Sequence, residues 1–271
     1  MLIIQATGQT CNQFWIYSNF IADCIEKEEK MVIWVPDVSL YYFPNFHNSK
    51  WISFPLYYAT FAKVIGHKRY IQILTILFGN KFIISFLNEF LNKLPGLTFI
   101  IANVGRENSK YRIKHFNQIK HILTPAKLIT DEVDTFFSIK RNQCDILVGV
   151  HIRYGDYRNF IDGRYFYTIP EYQTIMLHIK SLFSEKKVLF FISSNENIDL
   201  SLFTRIECFA MPSTFSVKDL YGLSLCDYII GPPSTFSAWA SLYQNVPLYF
   251  IENLNEHISL NNFIYMKNKW L

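Results

Sequence analysis

The sequence lacks the short motifs that most directly indicate phosphate, cofactor or metal chemistry. It has no G-x-x-x-x-G-K-[ST] loop, no G-x-G-x-x-G fingerprint, no H-E-x-x-H pair and no G-x-S-x-G elbow. These absences argue against P-loop nucleotide hydrolysis, dinucleotide binding, zinc-dependent proteolysis and serine hydrolysis. Asp-x-Asp, the usual carboxylate arrangement for a metal that holds a diphosphate, is also missing. A diphosphate bound by this chain would have to be neutralised by side-chain cations, hydroxyls and backbone donors.

Cysteines and charges are few and scattered. The chain begins without the basic segment of a signal peptide, so we expect reduced thiols in a cytoplasmic protein and no structural zinc. The net charge is only +4 and no run of Lys or Arg stands out, which argues against nucleic-acid binding. Such a charge is compatible with an anionic small ligand or an anionic membrane surface. The five cysteines are odd in number and form no C-x-x-C pair: Cys11, Cys24, Cys144, Cys208 and Cys226.

Long apolar runs are absent as well. The most apolar stretch, from Tyr70 to Ile100, is interrupted by Gly79, Asn80 and Lys81, so neither half reaches the ~18 residues of a membrane-spanning helix. We expect two buried or half-buried helices here. The alternative is that these helices dock on the inner leaflet of a membrane, which would make the protein peripheral.

The sequence does have a regular alternation of apolar strands and helices. Half of the residues are hydrophobic and 17% are aromatic, which is enough for a sizeable core. Strands and helices alternate along the chain, a pattern typical of α/β proteins with parallel sheets. We predict two Rossmann-like domains, residues 1–140 and 141–271, that face one another across a cleft.

The stretch VGVHIRYGDY, from Val148 to Tyr157, begins as a buried strand and ends with three polar side chains. His151 lies near the last strand position, Arg153 lies just beyond it, and Asp156 follows in a turn. Ligands bind at the carboxyl ends of strands in an open parallel sheet, and an arginine there offers a fixed fork of donors to a phosphate. The alternative is an Arg–Asp pair on the surface.

A second stretch, DYIIGPPSTFSAWASLY, joins a strand to a helix through Gly-Pro-Pro. Ser234 or Thr235 would cap this helix, and Phe236 follows at its start. A helix N-terminus presents free N–H groups and a partial positive charge, so the junction is a candidate phosphate site. An ordinary serine cap is the alternative.

A third stretch, GQTCNQFW, is a strand-to-helix turn with a single glycine, and alone it indicates little more than a turn.

Together the three stretches resemble the bacterial α-1,2-fucosyltransferases and their α-1,6- and protein O-fucosyltransferase relatives. HIRYGDY is similar to the HxRRGDY signature of that superfamily. The segment DLYGLSLCDYIIGPPSTFSAW, from Asp219 to Trp239, is similar to its later signature D-x-x-x-x-S-x-C-D-x-x-I-x-x-x-S-[ST]-F-S-x-W. GQTCNQ, from Gly8 to Gln13, is a degraded form of the N-terminal GGLGNQ. The three motifs occur in the family's order and span nearly the whole chain.

The resemblance implies a GT-B fold and an inverting, metal-independent enzyme without a cofactor. It would move fucose from GDP-fucose to a glycan acceptor, lipid-linked or free, in surface polysaccharide or lipopolysaccharide synthesis. The first domain would face the acceptor and the second would bind the GDP-sugar, with Arg153 on the β-phosphate. The other implied contacts are His151 and Asp219 near the guanine or ribose, Ser234, Thr235 and Phe236 around the diphosphate, and Asn12 near the reaction centre.

The sequence departs from the family's pattern at two places. Tyr154 replaces the second Arg of the signature, so the phosphate site lacks one cation unless Arg158 or Arg164 completes it. Thr10 and Cys11 replace Leu-Gly in the first loop, which suggests an acceptor other than the family's usual galactosides.

The general base and the acceptor site are less well defined. Asp156 is the carboxylate nearest the motif, and it is as well placed to orient Arg153 as to accept a proton; Asp162 and Glu171 are alternatives. Aromatic residues 40–58 are candidates for an acceptor groove or for core.

Two other functions remain open. One is a different GT-B transferase, for another nucleotide sugar or for pyruvyl transfer to polysaccharide. The other is a non-catalytic glycan- or nucleotide-binding protein.

Overall fold

The computed structural model describes residues 1–54, 64–78, 80–105, 108–213 and 215–270. The chain divides into two compact units, Met1–Ala126 and Lys127–Leu271. Each unit is built on one parallel sheet with helices in the connections. The predicted α/β class with two parallel sheets is therefore confirmed.

The first unit has four described strands in the order β3-β2-β1-β4. β1 is central because its side chains are apolar on both faces, and Ile3 and Ile4 are buried. The strands are β1 (Leu2–Ala6), β2 (Met31–Ile33), β3 (Ile52–Ser53) and β4 (Thr98–Ala102). The helices are α1 (Thr10–Lys27), α2 (Pro44–His47), α3 (His67–Phe78), α4 (Lys81–Leu91) and α5 (Arg112–Ile122), and a 3₁₀ turn covers Val38–Tyr42.

The second unit has five described strands in the order β7-β6-β5-β8-β9. The strands are β5 (Ile146–Ile152), β6 (Val188–Ser194), β7 (Cys208–Ala210), β8 (Tyr228–Gly231) and β9 (Leu248–Phe250). The helices are α6 (Lys127–Arg141), α7 (Ile169–Ser181), α8 (Ser216–Ser224), α9 (Thr235–Gln244) and α10 (Met266–Trp270). Short 3₁₀ turns cover Gly155–Arg158, Leu200–Leu202 and Leu260–Asn262.

β5 keeps the two-residue alternation that the sequence predicts. Val148, Val150 and Ile152 belong to a buried cluster with residues of α7. Gly149 belongs to the opposite face of the strand, where a Cβ would lie 2.7 Å from Leu223 of α8. His151 shares that second face. The strand therefore buries apolar side chains on one side and brings a histidine to its carboxyl end on the other.

The division between the units falls earlier than the predicted boundary of residues 140 and 141. α6 belongs to the second unit, because the Arg141 guanidinium forms a bidentate pair with Asp227. One oxygen of that carboxylate also accepts the backbone N–H of Leu147 at 2.8 Å. Lys218 of α8 pairs with Glu132 of α6. Hydrogen bonds between distant residues, which periodicity does not reveal, assign this helix to the second sheet.

Two helices and one strand of the first unit were not predicted: α2, α5 and β3. α5 falls in a polar, basic stretch of sequence whose pattern does not indicate a helix, because only Phe116, Ile119 and Ile122 of its residues are buried. β3 has two residues, too few for a period to be recognised. The two helices predicted between Tyr70 and Ile100 are present as α3 and α4, and Gly79 between them lies outside the described residues. Residues 55–58 of the aromatic segment 40–58, a candidate for an acceptor groove or for core, also lie outside the described residues.

Across the described ranges, no single helix has the length and hydrophobicity needed to cross a membrane. Two helical segments joined at a bend, Lys68–Leu77 and Phe82–Leu91, are together long and apolar enough to span a membrane, by length and composition only.

Candidate active site

Polar side chains lie at the carboxyl ends of three neighbouring strands, and those that follow β5 and β8 were predicted from the sequence. β5 is flanked by β6 and β8, with Ile152 opposite Ser194 and Val150 opposite Ile230. The chain therefore leaves β5, β6 and β8 at the same edge of the sheet. The three loops that follow contain Arg153, Asn195 and Ser234, and they form the candidate site.

The loop after β5 is held by side chains of the loop after β6. The backbone N–H of Tyr154 donates to Asn195 Oδ1 at 2.8 Å, and that of Gly155 donates to Glu196 Oε1 at 2.9 Å. Gly155 has φ +59°, and a Cβ there would lie 2.9 Å from Asn195 Nδ2. Only glycine meets both conditions without strain, so the Gly-Asp pair of the motif has a structural reason.

Arg153 is fixed by contacts on two sides. Its Nη2 lies 2.9 Å from Asp156 Oδ1, and its guanidinium carbon lies 5.5 Å from the centre of the Tyr157 ring. The Tyr157 hydroxyl donates to the carbonyl of Pro233 at 2.6 Å. The arginine is thus linked through Tyr157 to the residue that precedes the cap of α9. Asp156 is therefore placed to orient Arg153, which is one of the two roles that the sequence suggested for it.

The start of α9 has the predicted cap. Ser234 is the N-cap residue, and its Oγ accepts the backbone N–H of Phe236 at 3.1 Å. Its O–H can still donate to a ligand, since a hydroxyl combines one donor with two acceptor lone pairs. Thr235 is the first helical residue. Gly231 allows the preceding strand to approach β5, because a Cβ there would lie 2.7 Å from the carbonyl oxygen of His151.

Three buried polar side chains lie behind this edge. His151 and Ser193 are opposite one another in the β5–β6 register, and Asp219 lies in the first turn of α8. All three are less than a tenth exposed. The His151 ring packs against Phe236 with 4.9 Å between centroids, and its Nδ1 is buried without a hydrogen-bond partner among the described residues. A buried polar atom of this kind costs free energy unless a ligand satisfies it.

Burial shifts the pKa values of two of these groups in opposite directions. It lowers the pKa of His151 to about 3, with a smaller contribution from the positive charge of Arg153. It raises the pKa of Asp219 to about 7, partly offset by a hydrogen bond from Ser193. The imidazole is therefore neutral at physiological pH, and the carboxyl group titrates near neutrality.

The two arginines proposed to replace the missing cation have different surroundings. Tyr154 is buried and packs on Phe166 with 5.1 Å between ring centroids. The Arg158 guanidinium lies over both rings, 5.4 Å from Tyr154 and 4.8 Å from Phe166, and pairs with Glu196 at 3.1 Å. Arg164 is exposed and lies over its neighbour Tyr165. Arg158 is therefore the cation adjacent to the altered motif position.

Asn12 belongs to the first unit. It lies in the first turn of α1, and Gly8 before it has φ +81°, where a Cβ would lie 2.5 Å from Asn12 Nδ2. The neighbouring Thr10 hydroxyl donates to Asp37 Oδ1 at 2.9 Å. The loop thus has a defined geometry within its own unit, and the approach of Asn12 to the reaction centre stays a prediction.

Sequence reasoning missed Ser193, Asn195 and Glu196. All three belong to FFISSNENI, which ends β6 as VGVHIRYGDY ends β5, so the same change from apolar to polar residues would have revealed them. Glu171, one of the alternative bases, is occupied in the capping box of α7, where it accepts the backbone N–H of Thr168 at 2.6 Å. Asp162 is exposed.

No cluster of three or more His, Cys, Asp or Glu side chains suited to a metal ion occurs in the part of the chain that the structure describes. The five cysteines are free thiols.

A family model for glycosyl transferase family 11 matches residues 60–258, which is well over half of the chain. The chain belongs to glycosyl transferase family 11. The sequence resemblance to fucosyltransferases is thereby confirmed at the level of the family, and the family 11 protein is a glycosyltransferase. None of the curated proteins matches the chain.

Solved fucosyltransferase structures share the fold of the family 11 protein. POFUT1 in complex with GDP-fucose superimposes with a TM-score of 0.59 at 11% identity, covering 90% of this chain and 95% of that one. The NodZ α-1,6-fucosyltransferase soaked with GDP-fucose gives 0.56 at 16% identity, covering 97% and 96%. Fucosyltransferase NodZ from Bradyrhizobium gives 0.55 at 16% identity, covering 94% and 96%. The predicted GT-B class of the fold is confirmed by these neighbours.

Proposed function

We propose that this family 11 protein transfers fucose from GDP-fucose to a hydroxyl of a glycan, with inversion and without a metal ion. The observation that carries the proposal is the position of Arg153, held by Asp156 and Tyr157 at the carboxyl end of β5 and linked to the start of α9. POFUT1 and NodZ, which share the fold, have been solved with GDP-fucose. A cation beside a helix N-terminus is suited to a diphosphate.

The reaction is a single displacement at the anomeric carbon of fucose. The acceptor oxygen forms a bond to this carbon as the bond to the β-phosphate oxygen breaks, and the electron pair of that bond leaves with GDP. Negative charge grows on the phosphate in the transition state, where the Arg153 guanidinium and the N–H groups at the start of α9 stabilise it. Preorganised donors of this kind are usually the largest catalytic contribution, and removing one costs roughly 10²–10³ in rate.

The buried polar side chains are proposed to contact the nucleoside part of GDP. Neutral His151 offers both a donor and an acceptor, and its buried Nδ1 lacks a partner among the described residues. Asp219 and Ser193 lie on the same side of the sheet edge. Guanine and ribose present several donors and acceptors that such groups can satisfy. Ser234, Thr235 and Phe236 would surround the diphosphate at the start of α9.

Asp156 is proposed to position Arg153 rather than to deprotonate the acceptor. Its carboxylate is already paired with the guanidinium at 2.9 Å. Departure of the leaving group can run ahead of attack in such a displacement, so the acceptor proton can pass to a weak base or to water. We propose an α-1,2 linkage, because the motifs resemble those of the α-1,2 enzymes, and an acceptor in surface polysaccharide or lipopolysaccharide synthesis.

The decisive experiment is a calorimetric titration with GDP, UDP and phosphoenolpyruvate in EDTA, followed by turnover assays with GDP-fucose on an acceptor panel. The proposal predicts binding of GDP well above the other two and formation of fucosylated product. Preference for UDP would indicate another nucleotide sugar, and preference for phosphoenolpyruvate would indicate pyruvyl transfer. GDP-fucose binding without product on any acceptor would favour a non-catalytic binding protein.

We further propose that α3 and α4 contact the inner membrane, where a lipid-linked acceptor would lie. α3 buries Tyr70, Ile71 and Leu74 but exposes apolar side chains on another face, and no side chain described in α4 is buried. The sequence from residue 67 to 95 contains four Lys or Arg and one Glu, so most of the net charge of +4 lies here. The exposed apolar residues are Ile73, Ile76, Leu77, Phe82, Ile83, Phe86 and Phe90. An apolar face with flanking cations is suited to an anionic bilayer surface.

Co-sedimentation with phosphatidylglycerol vesicles tests the membrane contact. Phe82, Phe86 and Phe90 are spaced four residues apart on one face of α4, and Phe82 is 86% exposed. Replacing all three by Ser should abolish co-sedimentation and leave GDP binding unchanged. The control is Leu128→Ser, which removes an apolar side chain of the second unit that is 82% exposed. A wild-type chain that stays in the supernatant would refute the contact.

A further inference from the structure

The first unit contains an open pocket of about 690 Å³ that no motif indicates. It lies between the C-terminal ends of α1 and α5 and the chain from Asn45 to Trp51, and is called here the amide pocket. Its volume falls within the roughly 300–1,000 Å³ of ligand sites in proteins. The pocket is therefore large enough for a small organic ligand or one part of a larger one.

The amide pocket lies at the amino end of the first sheet. Trp51 directly precedes β3, and its carbonyl accepts the backbone N–H of Met31, the first residue of β2, at 3.1 Å. Asn12 follows the carboxyl end of β1, at the opposite edge of the same sheet. The pocket is thus a separate site within the first unit and not an extension of the loop that contains Asn12.

Charge argues against an anionic ligand in this pocket. The charged side chains that line it are Lys50 and Glu28, whose formal charges cancel. α1 and α5 both direct their C-terminal ends at it, and the partial charge at a helix C-terminus is negative. A phosphate or carboxylate would therefore gain little there, in contrast to the site at the start of α9.

The remaining polar groups are suited to hydroxyls. Asn48, Asn117 and Gln118 line the pocket with exposed amides, and their side chains make no hydrogen bond to any described residue. Each amide offers both donors and an acceptor, which matches a hydroxyl that donates and accepts at once. Asn45, by contrast, donates to the carbonyl of His121 at 3.1 Å and links the loop to the end of α5.

Trp51 supplies a flat apolar surface beside these amides. Its side chain is half-buried, and the Lys50 ammonium lies 4.3 Å from its ring centre, over one of the two faces. Sugars combine a patch of C–H groups on one face of the ring with hydroxyls around its edge, so an aromatic ring flanked by amides matches their chemistry.

We propose that the amide pocket binds a neutral sugar residue. This inference rests on the proposed function in one respect: the sugar is taken to belong to the glycan acceptor, at a position other than the residue that receives fucose. The pocket would hold a longer acceptor by a second point of contact and so raise its effective concentration at the reaction centre.

The test is protein-observed NMR of the full chain with neutral sugars at millimolar concentration: glucose, galactose, N-acetylglucosamine, lactose and chitobiose. At least one of them should shift the indole N–H signal of Trp51. The Asn117→Ala/Gln118→Ala double variant should weaken this binding about tenfold or more, since it removes two amides that bond to the sugar. The matched control is Asn142→Ala/Gln143→Ala, another adjacent pair of exposed amides. It should leave the binding unchanged.

Three results would overturn the inference. The first is no shift of the Trp51 indole with any sugar of the panel. The second is an equal loss of binding in the control pair. The third is a shift produced by inorganic phosphate rather than by sugars.

A GDP titration of the same variants separates this inference from the proposed function. Sugar binding lost with GDP binding intact supports the amide pocket. Failure of the wild-type chain to bind GDP would refute the proposed function. Sugar binding to the amide pocket would still be decided by the Trp51 signal and by the two double variants.

Discussion

In the second unit the polar side chains of the candidate site are buried or fixed at the carboxyl edge of the sheet, whereas those of the amide pocket in the first unit are exposed at the amino edge. His151 and Asp219 are almost fully buried, and Arg153 is held on two sides. Asn48, Asn117 and Gln118 are free in solvent. Buried groups are preorganised and act strongly on a small charged ligand, while exposed groups contribute weak contacts that suit an extended neutral one.

This comparison predicts that the largest effect of any single substitution occurs at Arg153. Arg153→Ala should lower turnover of GDP-fucose by at least about 10²–10³, because the leaving phosphate loses a preorganised cation. Steady-state rates and GDP titrations of the same variant measure this loss. The matched control is Arg164→Ala, an exposed arginine in the same unit, which should stay close to wild type. Turnover of Arg153→Ala near the wild-type rate would remove the basis for a donor site in the second unit.

Burial in the second unit predicts a pH-dependent stability. The raised pKa of Asp219, about 7, means that the folded state keeps a proton that the unfolded state releases near pH 4, so this group lowers stability as pH rises from about 4 to 7. The lowered pKa of His151, about 3, acts in the opposite direction, since stability rises from pH 3 to about 6.5.

The substitution Asp219→Asn isolates the first of these contributions. The free energy of unfolding of the variant relative to wild type should increase from pH 4 to pH 7 and then level off, by about 2–4 kcal/mol. Denaturant unfolding at a series of pH values gives this difference, in which the His151 contribution cancels. Asp162→Asn, at an exposed carboxylate, controls for the loss of charge. A difference that does not vary with pH would mean that Asp219 is not buried in its neutral form.

The contribution of the first unit to the reaction is tested at Asn12. Asn12→Ala should lower turnover about tenfold through loss of one contact to the reacting sugar, while the affinity for GDP, which lacks that sugar, stays unchanged. Kinetics with GDP-fucose and calorimetry with GDP measure the two quantities separately. A parallel loss of GDP affinity would place Asn12 against the nucleotide and weaken the division of roles between the units.

The smallest predicted effect concerns the cation that replaces the second Arg of the signature. Arg158 lies over Tyr154 and pairs with Glu196. Arg158→Ala should raise the Kd for GDP about threefold at low salt and less at high salt, because the side chain is half-exposed and its field is screened. Titrations at two ionic strengths measure this. An unchanged Kd at low salt would show that Arg153 and the helix start suffice for the phosphates.

The second unit was predictable from sequence because its site is local. VGVHIRYGDY and the segment around Ser234 each contain the carboxyl end of a strand. A parallel sheet brings these strand ends together at one edge, independently of the conformation of the loops. The link between loops was not predictable, since Asn195 and Glu196 act on the backbone of Tyr154 and Gly155 from 41 positions away in the chain.

The first unit was less predictable for the opposite reason. Its pocket joins Glu28, the chain from Asn45 to Trp51, and the end of α5, and none of these segments has a pattern that indicates a ligand. α5 was missed because its surface is polar and few of its residues are buried. The aromatic segment 40–58 did draw attention to Trp51, though not to the amides that give the pocket its chemistry.

Calorimetric titration of wild type and Arg153→Ala with GDP, UDP and phosphoenolpyruvate, all in EDTA, tests the central claim most directly. A metal-free guanine-nucleotide site at the carboxyl edge of the second sheet predicts that wild type binds GDP well above the other two and that the variant loses most of this affinity. Equal GDP binding by both proteins, or a preference of wild type for UDP or phosphoenolpyruvate, would contradict it.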